Sequence, residues 1–111
     1  MDKITRYRQI VQQVLEDYAR LMSTGNSVRI LPVCDSSRDH YLLVSLGWQN
    51  KRREHAIVFH AQLRGSEFFV EDDRTEEGIA NLLLQAGVEE DDIRLAWTDA
   101  PRSDEQVTIA A

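Results

Sequence analysis

The stretch FFVEDDRTEEGIANLLLQAGVEEDDI, Phe68 to Ile93, decides how this chain folds. An aromatic strand ends in the carboxylates Glu71, Asp72 and Asp73, turns through Arg74 and Thr75, and opens a helix predicted over residues 76 to 86. Thr75 is placed to accept a hydrogen bond from an orphan amide of the first turn, and Glu76 and Glu77 suit the positive end of the helix dipole. Gly87 fits the left-handed residue on which many helices end. Gly78 is harder to account for, because glycine costs roughly 1 kcal/mol inside a helix. Its presence predicts close approach by another backbone. A strand, a short helix and a return toward Ile93 make this the hinge between a sheet and its cover.

Working outward, residues 3 to 23 read as one amphipathic helix. Ile4, Tyr7, Val11, Val14, Leu15, Tyr18 and Met22 recur at three- and four-residue steps, and the polar run Ser23 to Asn26 ends it. A short strand is predicted over 28 to 33, then two longer ones over 40 to 48 and 54 to 63, joined by a loop at 49 to 53. With Trp48 opposite His55, Leu46 opposite Ile57 and Val44 opposite Phe59, one apolar set shares one side of an antiparallel hairpin. A turn at Arg64 to Ser66 adds a third strand over 67 to 71 and completes a meander. Ile93, Leu95 and Trp97 alternate as a late strand, and Val107 with Ile109 marks another. The expected fold is α+β: an N-terminal amphipathic helix, a mainly antiparallel meander, a second helix and one or two late strands, in a single domain spanning 1 to 111. Tyr41, Leu43, Ala56 and Val58 fall on the alternate face of the meander. Two helices are few covers for a sheet apolar on both sides, which predicts a homo-oligomer, a dimer or a pair of dimers.

Composition narrows the function. The net charge of −6 repels phosphate over much of the surface and argues against tight duplex binding by the whole domain. No run of about 20 apolar residues exists to span a membrane, and Lys3, Arg6 and Arg8 interrupt the first helix too often for a signal peptide. The single cysteine, Cys34, excludes an internal disulfide, fits the cytoplasm, and reads as a buried small residue.

Three groups of residues carry possible chemistry. The carboxylates Glu71, Asp72, Asp73, Glu76 and Glu77 have the types that hold divalent metal, but no lysine lies near them, and capping explains most of them. His40, His55 and His60 sit singly, without the paired spacing of a zinc site. The segment Gly47 to His55 is the best candidate contact: Trp48, Gln49, Lys51, Arg52, Arg53 and His55 set an aromatic ring, an amide and three adjacent cations on an acidic molecule. A glycine-rich phosphate loop and a nucleophile elbow are both missing, so the chain reads as non-catalytic and free of cofactors.

Taken together, several runs resemble one family. They are Tyr7-Arg8, Leu15 and Tyr18-Ala19; His40 to Leu43; Gly47-Trp48-Gln49; Lys51 to Arg53 with His55; and Phe59-His60. The run Asp73-Arg74-Thr75-Glu76-Glu77-Gly78-Ile79-Ala80, followed by Ala86-Gly87-Val88 and Asp92-Ile93, is the most specific part. This pattern is similar to the XisI family, the fdxN-element excision controlling factors of cyanobacteria, over roughly residues 3 to 97. Phe69 and Glu71 stand where that family usually has tryptophan and glutamine. The resemblance implies an accessory factor for programmed DNA excision that acts through protein partners. The implied partners are a site-specific recombinase and the endonuclease-like companion XisH, with DNA contact weak or indirect. It marks Asp73, Thr75, Glu76, Glu77 and Gly78 as family-motif residues. Two other readings stand beside it: a direct DNA-binding module using the 47 to 55 hairpin tip, and an antitoxin-like inhibitor of a nuclease partner.

Overall fold

The computed structural model describes residues 2–23, 25 and 27–98. Helix α1 (Lys3–Ser23) begins where the Asp2 carboxylate accepts from the Thr5 amide at 2.9 Å, an N-terminal cap. Four strands follow as a meander, β1 (Val28–Asp35), β2 (His40–Gln49), β3 (Arg52–Arg64) and β4 (Glu67–Asp73). Helix α2 (Ile79–Gln85), a 3-10 turn (Glu90–Asp92) and β5 (Ile93–Leu95) complete the described chain. The sheet order is β1-β2-β3-β4-β5; every pairing is antiparallel except β5, which returns parallel to β4 after the α2 crossover. The α+β architecture expected from the sequence is therefore present. The strand sought at Val107 and Ile109 lies outside the described residues, and Trp97 leaves β5 for a turn, more than half exposed.

Helix α1 lies across one face of the sheet. Its stripe Tyr7, Val11, Leu15 and Ala19 meets Tyr41, Leu43, Phe59, Ala61, Leu63, Phe68 and Val70 from β2, β3 and β4. The Tyr7 and Phe68 rings stack with centroids 5.6 Å apart. Three large side chains at roughly 2 kcal/mol each seat the helix, far more than its intrinsic propensity supplies. Ile79, Leu83 and Val88 close the far end of the same core. Arg8 pins the helix to the β1–β2 turn with two 2.9 Å bonds to the Asp39 carboxylate, which also accepts from the Tyr41 hydroxyl.

The hairpin register differs from the sequence expectation. The β2–β3 turn is a two-residue loop, Asn50-Lys51, with both residues at positive φ (51° and 66°), the mirror-image turn whose twist matches its strands. Trp48 therefore pairs with Arg53, Leu46 with His55 and Val44 with Ile57. A bulge between Leu43 and Val44 on that ladder leaves Val58 as the extra residue, so Leu43 pairs with Phe59. A second bulge shifts the β3–β4 ladder between His60 and Ala61. Tyr41 and Leu43, expected on the uncovered side, are wholly buried under α1, and the bulge brings Phe59 onto their face, with Val58 packed against the core.

The second helix also begins later than expected. Gly78 is its N-cap at φ 80°, and Glu76 and Glu77 precede it rather than line its first turn. Asp73, not Thr75, caps it: one carboxylate oxygen accepts from Ile79 N at 2.7 Å, the other from Thr75 N and Oγ1, while Thr75 Oγ1 accepts from Gly78 N. Gly78 is thus required by its backbone conformation, since a Cβ there meets nothing closer than the Asn81 amide at 3.3 Å. Close backbone approach belongs instead to Gly47, where a Cβ would sit 2.3 Å from Ser27 O. The helix ends as expected at Gly87, with Gly87 N bonded to Leu84 O and Val88 N to Leu83 O.

Candidate interaction surface

Among the described residues, no helix lies on the face of the sheet opposite α1. Residues directly opposed across antiparallel strands share a side, so the registers assign it Leu31 and Val33 from β1, Leu42, Val44 and Leu46 from β2, and Ile57 from β3. None of these six belongs to the core or packs against it, and Val33 and Ile57 are 48% and 45% exposed. The inner row of β2, Tyr41, Leu43, Ser45 and Gly47, is smaller than the outer row, Leu42, Val44, Leu46 and Trp48. Close seating of the 27–28 backbone on Gly47 favours small residues inside. The larger apolar row is left facing water.

Charged side chains sit at both ends of this face. At the hairpin end lie Arg29, opposite Leu46, and Arg53, opposite Trp48. The Arg53 guanidinium covers the Trp48 ring at 5.6 Å and donates to Gly47 O at 3.2 Å; Trp48 is nevertheless 58% exposed. At the other end lie Asp35, opposite His40, and Asp72, opposite His60. Asp35 accepts from the Ser37 hydroxyl and amide and from Arg38, which hold its carboxyl down to about 2. Phe69, on the β4 side, lies under the Arg64 guanidinium at 4.2 Å and the Arg94 guanidinium at 5.6 Å.

Between those ends His40 and His60 meet, Nδ1 to Nε2 at 3.1 Å. One ring must donate and the other accept, so at least one imidazole in the pair is neutral. Burial pushes the His60 pKa down, and the neighbouring His40 adds to the fall, while Glu71 and Asp72 oppose it. The bulge at Val58 on β3 puts His60 on the same side of the sheet as His40. A local signal existed in the two aromatic-capable positions at equivalent ends of adjacent predicted strands, but the bulges hid it.

The hairpin-tip residues do not act as one group. Trp48, Arg53 and His55 occupy the outer face, Gln49 and Arg52 alternate to the other side, and Lys51 sits in the turn itself. Among the described residues no ion pair joins this tip to Asp73, Glu76 or Glu77. Asp73, Thr75 and Gly78 are the capping unit already described; Glu76 and Glu77 are exposed beside it. Asp72 pairs with Arg74 at 3.1 Å. No three carboxylate, imidazole or thiol groups among the described residues gather to hold a metal ion. Cys34, expected inside, lies exposed on the edge strand β1.

Sequence reading also missed a buried polar cluster behind the sheet. The Tyr7 hydroxyl donates to Asp92 Oδ2 at 2.5 Å and accepts from Glu89 N at 3.1 Å, and Lys3 Nζ lies 2.8 Å from both Asp92 and Glu89 carboxylates. Burial pushes the Asp92 carboxyl up, but the bonds from Lys3 and Tyr7 outweigh it and hold it below its ordinary value. Every group in it has a structural partner, so it locks the 3-10 turn onto α1.

This is a small α+β protein whose described helices cover one face of the sheet and, among the described residues, leave the other uncovered. Residues 1–108 match the XisI protein family, and the chain belongs to it. A solved structure described as the fdxN element excision controlling factor XisI from Anabaena variabilis ATCC 29413 is 30% identical, covering 88% of this chain and 89% of that one, with a TM-score of 0.70. A XisI-like protein from the same organism is 26% identical over the same shares, with a TM-score of 0.74. None of the curated proteins compared with the chain matches it. No helix among the described residues is long and apolar enough to cross a membrane.

Proposed function

We propose that this chain is a non-catalytic accessory factor that controls excision of a DNA element by holding protein partners. Membership in a family whose solved member is described as an excision controlling factor supports the first half. The observation that carries the second is the bare apolar sheet face: six aliphatic side chains on the outer rows, with Trp48 at their rim, are what a protein partner covers and what duplex DNA does not. The partners that fit the reading are a second copy of the chain, an endonuclease-like companion of the XisH kind and a site-specific recombinase.

Direct DNA binding is disfavoured by the division of the tip. With Arg52 and Arg53 on opposite sides of β3, the three cations do not form one phosphate-tracking row, and the net charge is −6. The test is reconstitution of excision with recombinase and companion, with and without the chain. Excision that depends on the chain while the chain alone neither cuts nor retains DNA at physiological salt is the expected result. Magnesium- or manganese-dependent cleavage by the chain alone refutes it.

A further inference from the structure

We propose that the open edge of β3 beside the hairpin tip, residues 53–57, is a docking site for an extended segment of a protein partner, which adds a strand there and sets carboxylates against Arg52 and Arg53. This rests on the reading that the chain works through protein partners, and it names how one of them is gripped. β3 runs from Arg52 to Arg64, but β4 pairs with it only from Phe59 onward. The last backbone bond on that side runs from Arg74 N to Val58 O at 2.8 Å. From Ile57 back to the turn, no described strand lies beside β3 on its β4 side.

Alternation says which groups this edge offers. Across the two-residue turn Gln49 and Arg52 exchange both backbone bonds, and bonded pairs recur at every second position, Gly47 with Glu54 and Ser45 with Ala56. Trp48 fits that phase, since its carbonyl turns the other way and accepts from Ser27 Oγ at 2.8 Å. Arg53, His55 and Ile57 therefore turn their N–H and C=O groups outward, and no backbone group among the described residues bonds to them. All three residues are exposed. A row of donors and acceptors repeating every second residue is matched by another extended backbone, not by a helix or a duplex.

A second copy fits this edge poorly. In a two-fold ladder centred on His55, Arg52 of the other copy falls opposite Val58, whose carbonyl Arg74 already holds, and its turn strikes the end of β4. Centring the ladder on Glu54 sets that carboxylate against its own copy. A lone strand meets neither obstacle. Its chemistry follows from the flanking charges. Lys51, Arg52 and Arg53 stand at the tip end beside one carboxylate, Glu54, which accepts from Ser45 Oγ at 2.7 Å. Among the described residues no ion pair engages these three cations. At the other end Ile57 is 45% exposed, and Arg74, Glu76 and Glu77 past it carry both signs. The segment that fits runs antiparallel to β3, with an aliphatic residue opposite Ile57 and acidic residues opposite Arg53 and Arg52. The same cations repel a basic strand.

The test uses the full chain and the capped peptide Ile-Thr-Val-Thr-Glu-Asp, written to run antiparallel from Ile57 to Arg52, and reads amide exchange and chemical-shift titration. In the free chain the Arg53, His55 and Ile57 amides are expected to exchange at least about a hundredfold faster than those of Glu54 and Ala56. The peptide is expected to bind with a dissociation constant below about 1 mM and to slow that exchange. N-methylation of its third and fifth residues, whose amides face β3, is expected to weaken binding at least about tenfold, against less than about threefold at the second and fourth, which face away. Lysine in place of its two acids is expected to weaken binding at least about fivefold, and Arg53→Glu to remove that preference. His55→Pro deletes an outward amide without breaking a bond to β2, so the peptide is expected to be lost with far-ultraviolet circular dichroism unchanged. Should that variant fail to fold, Arg53→Glu carries the test. Edge amides already protected in the free chain, by residues beyond Thr98 or by a second copy, overturn the proposal. So does a peptide that fails to bind, or one that binds equally well with either pair of residues methylated. None of these touches the accessory reading, which fails only in the excision assay.

Discussion

Removing one oxygen from Tyr7 tests how the two ends of the described chain are joined. In Tyr7→Phe the ring stays stacked on Phe68, so packing is unchanged and only the hydroxyl is lost. That hydroxyl donates to the buried Asp92 carboxylate at 2.5 Å and accepts the Glu89 amide at 3.1 Å. A hydrogen bond to a charged group contributes about 1.5–3 kcal/mol. Glu89 is exposed, so water reaches its freed amide and adds little. The expected loss is about 2 kcal/mol, or a melting temperature lower by roughly 10 °C for a domain of this size. Urea titration with an unchanged slope and thermal melting followed by circular dichroism both read it. The loss also has a pH signature. Asp92 is held below its ordinary value of 3.8, so its contribution is complete above that value and disappears as pH falls through the lowered folded value. The gap between the native chain and Tyr7→Phe is therefore expected to narrow in acid. A loss under about 0.5 kcal/mol near neutral pH, or a gap that widens in acid, refutes the reasoning.

Gly47→Ala is expected to cost at least about 2 kcal/mol, because its Cβ would sit 2.3 Å from Ser27 O and 2.9 Å from Val28 Cα, both backbone atoms; a melt within error of the native chain's would remove the argument. Lys51→Gly is expected to stabilise by about 0.5–1 kcal/mol, since lysine at φ 66° bears a steric cost that glycine does not; a lower melting temperature would contradict it. Asp73→Ala should cost about 1–2 kcal/mol through the lost cap, while Asp72→Ala, losing one exposed ion pair, stays within about 0.5 kcal/mol; equal melts would show that the cap is not what Asp73 supplies.

The long helix was fully legible, because its stripe repeats over 21 residues and Asp2 and Ser23 bracket it. The meander and the crossover helix were legible in kind and order. Which side of the meander faces inward was not. β2 is apolar on both rows, so alternation alone cannot choose between them, and the choice was made by Gly47 pressing on residues 27–28. The Asn-Lys turn hid the two-residue loop, since lysine seldom adopts a left-handed conformation; the bulge at Val58 then moved Phe59 onto the face of Leu43, and the second left Glu71 as the extra residue on β4. The expectation of a bare apolar face was sound in reasoning but attached to Tyr41, Leu43, Ala56 and Val58. The uncovered row is the neighbouring one, half-buried Leu42, Val44 and Leu46 with exposed Ile57. Of the candidate contact residues, the tip was found as a segment, while the histidine pair required the bulges to be known.

The fastening of α1 to the 3-10 turn has a consequence for the order in which the chain can fold. Tyr7 and Asp92 are 85 residues apart, whereas α1 lies closest to β1, the next strand in the chain, with Ser23 bonded to Ile30 and Arg8 to Asp39. During synthesis from the N-terminus, α1 therefore finds partners as soon as β1 and β2 follow it, Tyr41 and Leu43 among them, while Phe68 and Val70 reach it later. The hairpins and the first docking of α1 close over short loops, whereas the Tyr7–Asp92 bond closes a long one and its entropy is met late. The last latch to engage is therefore the one at Asp92.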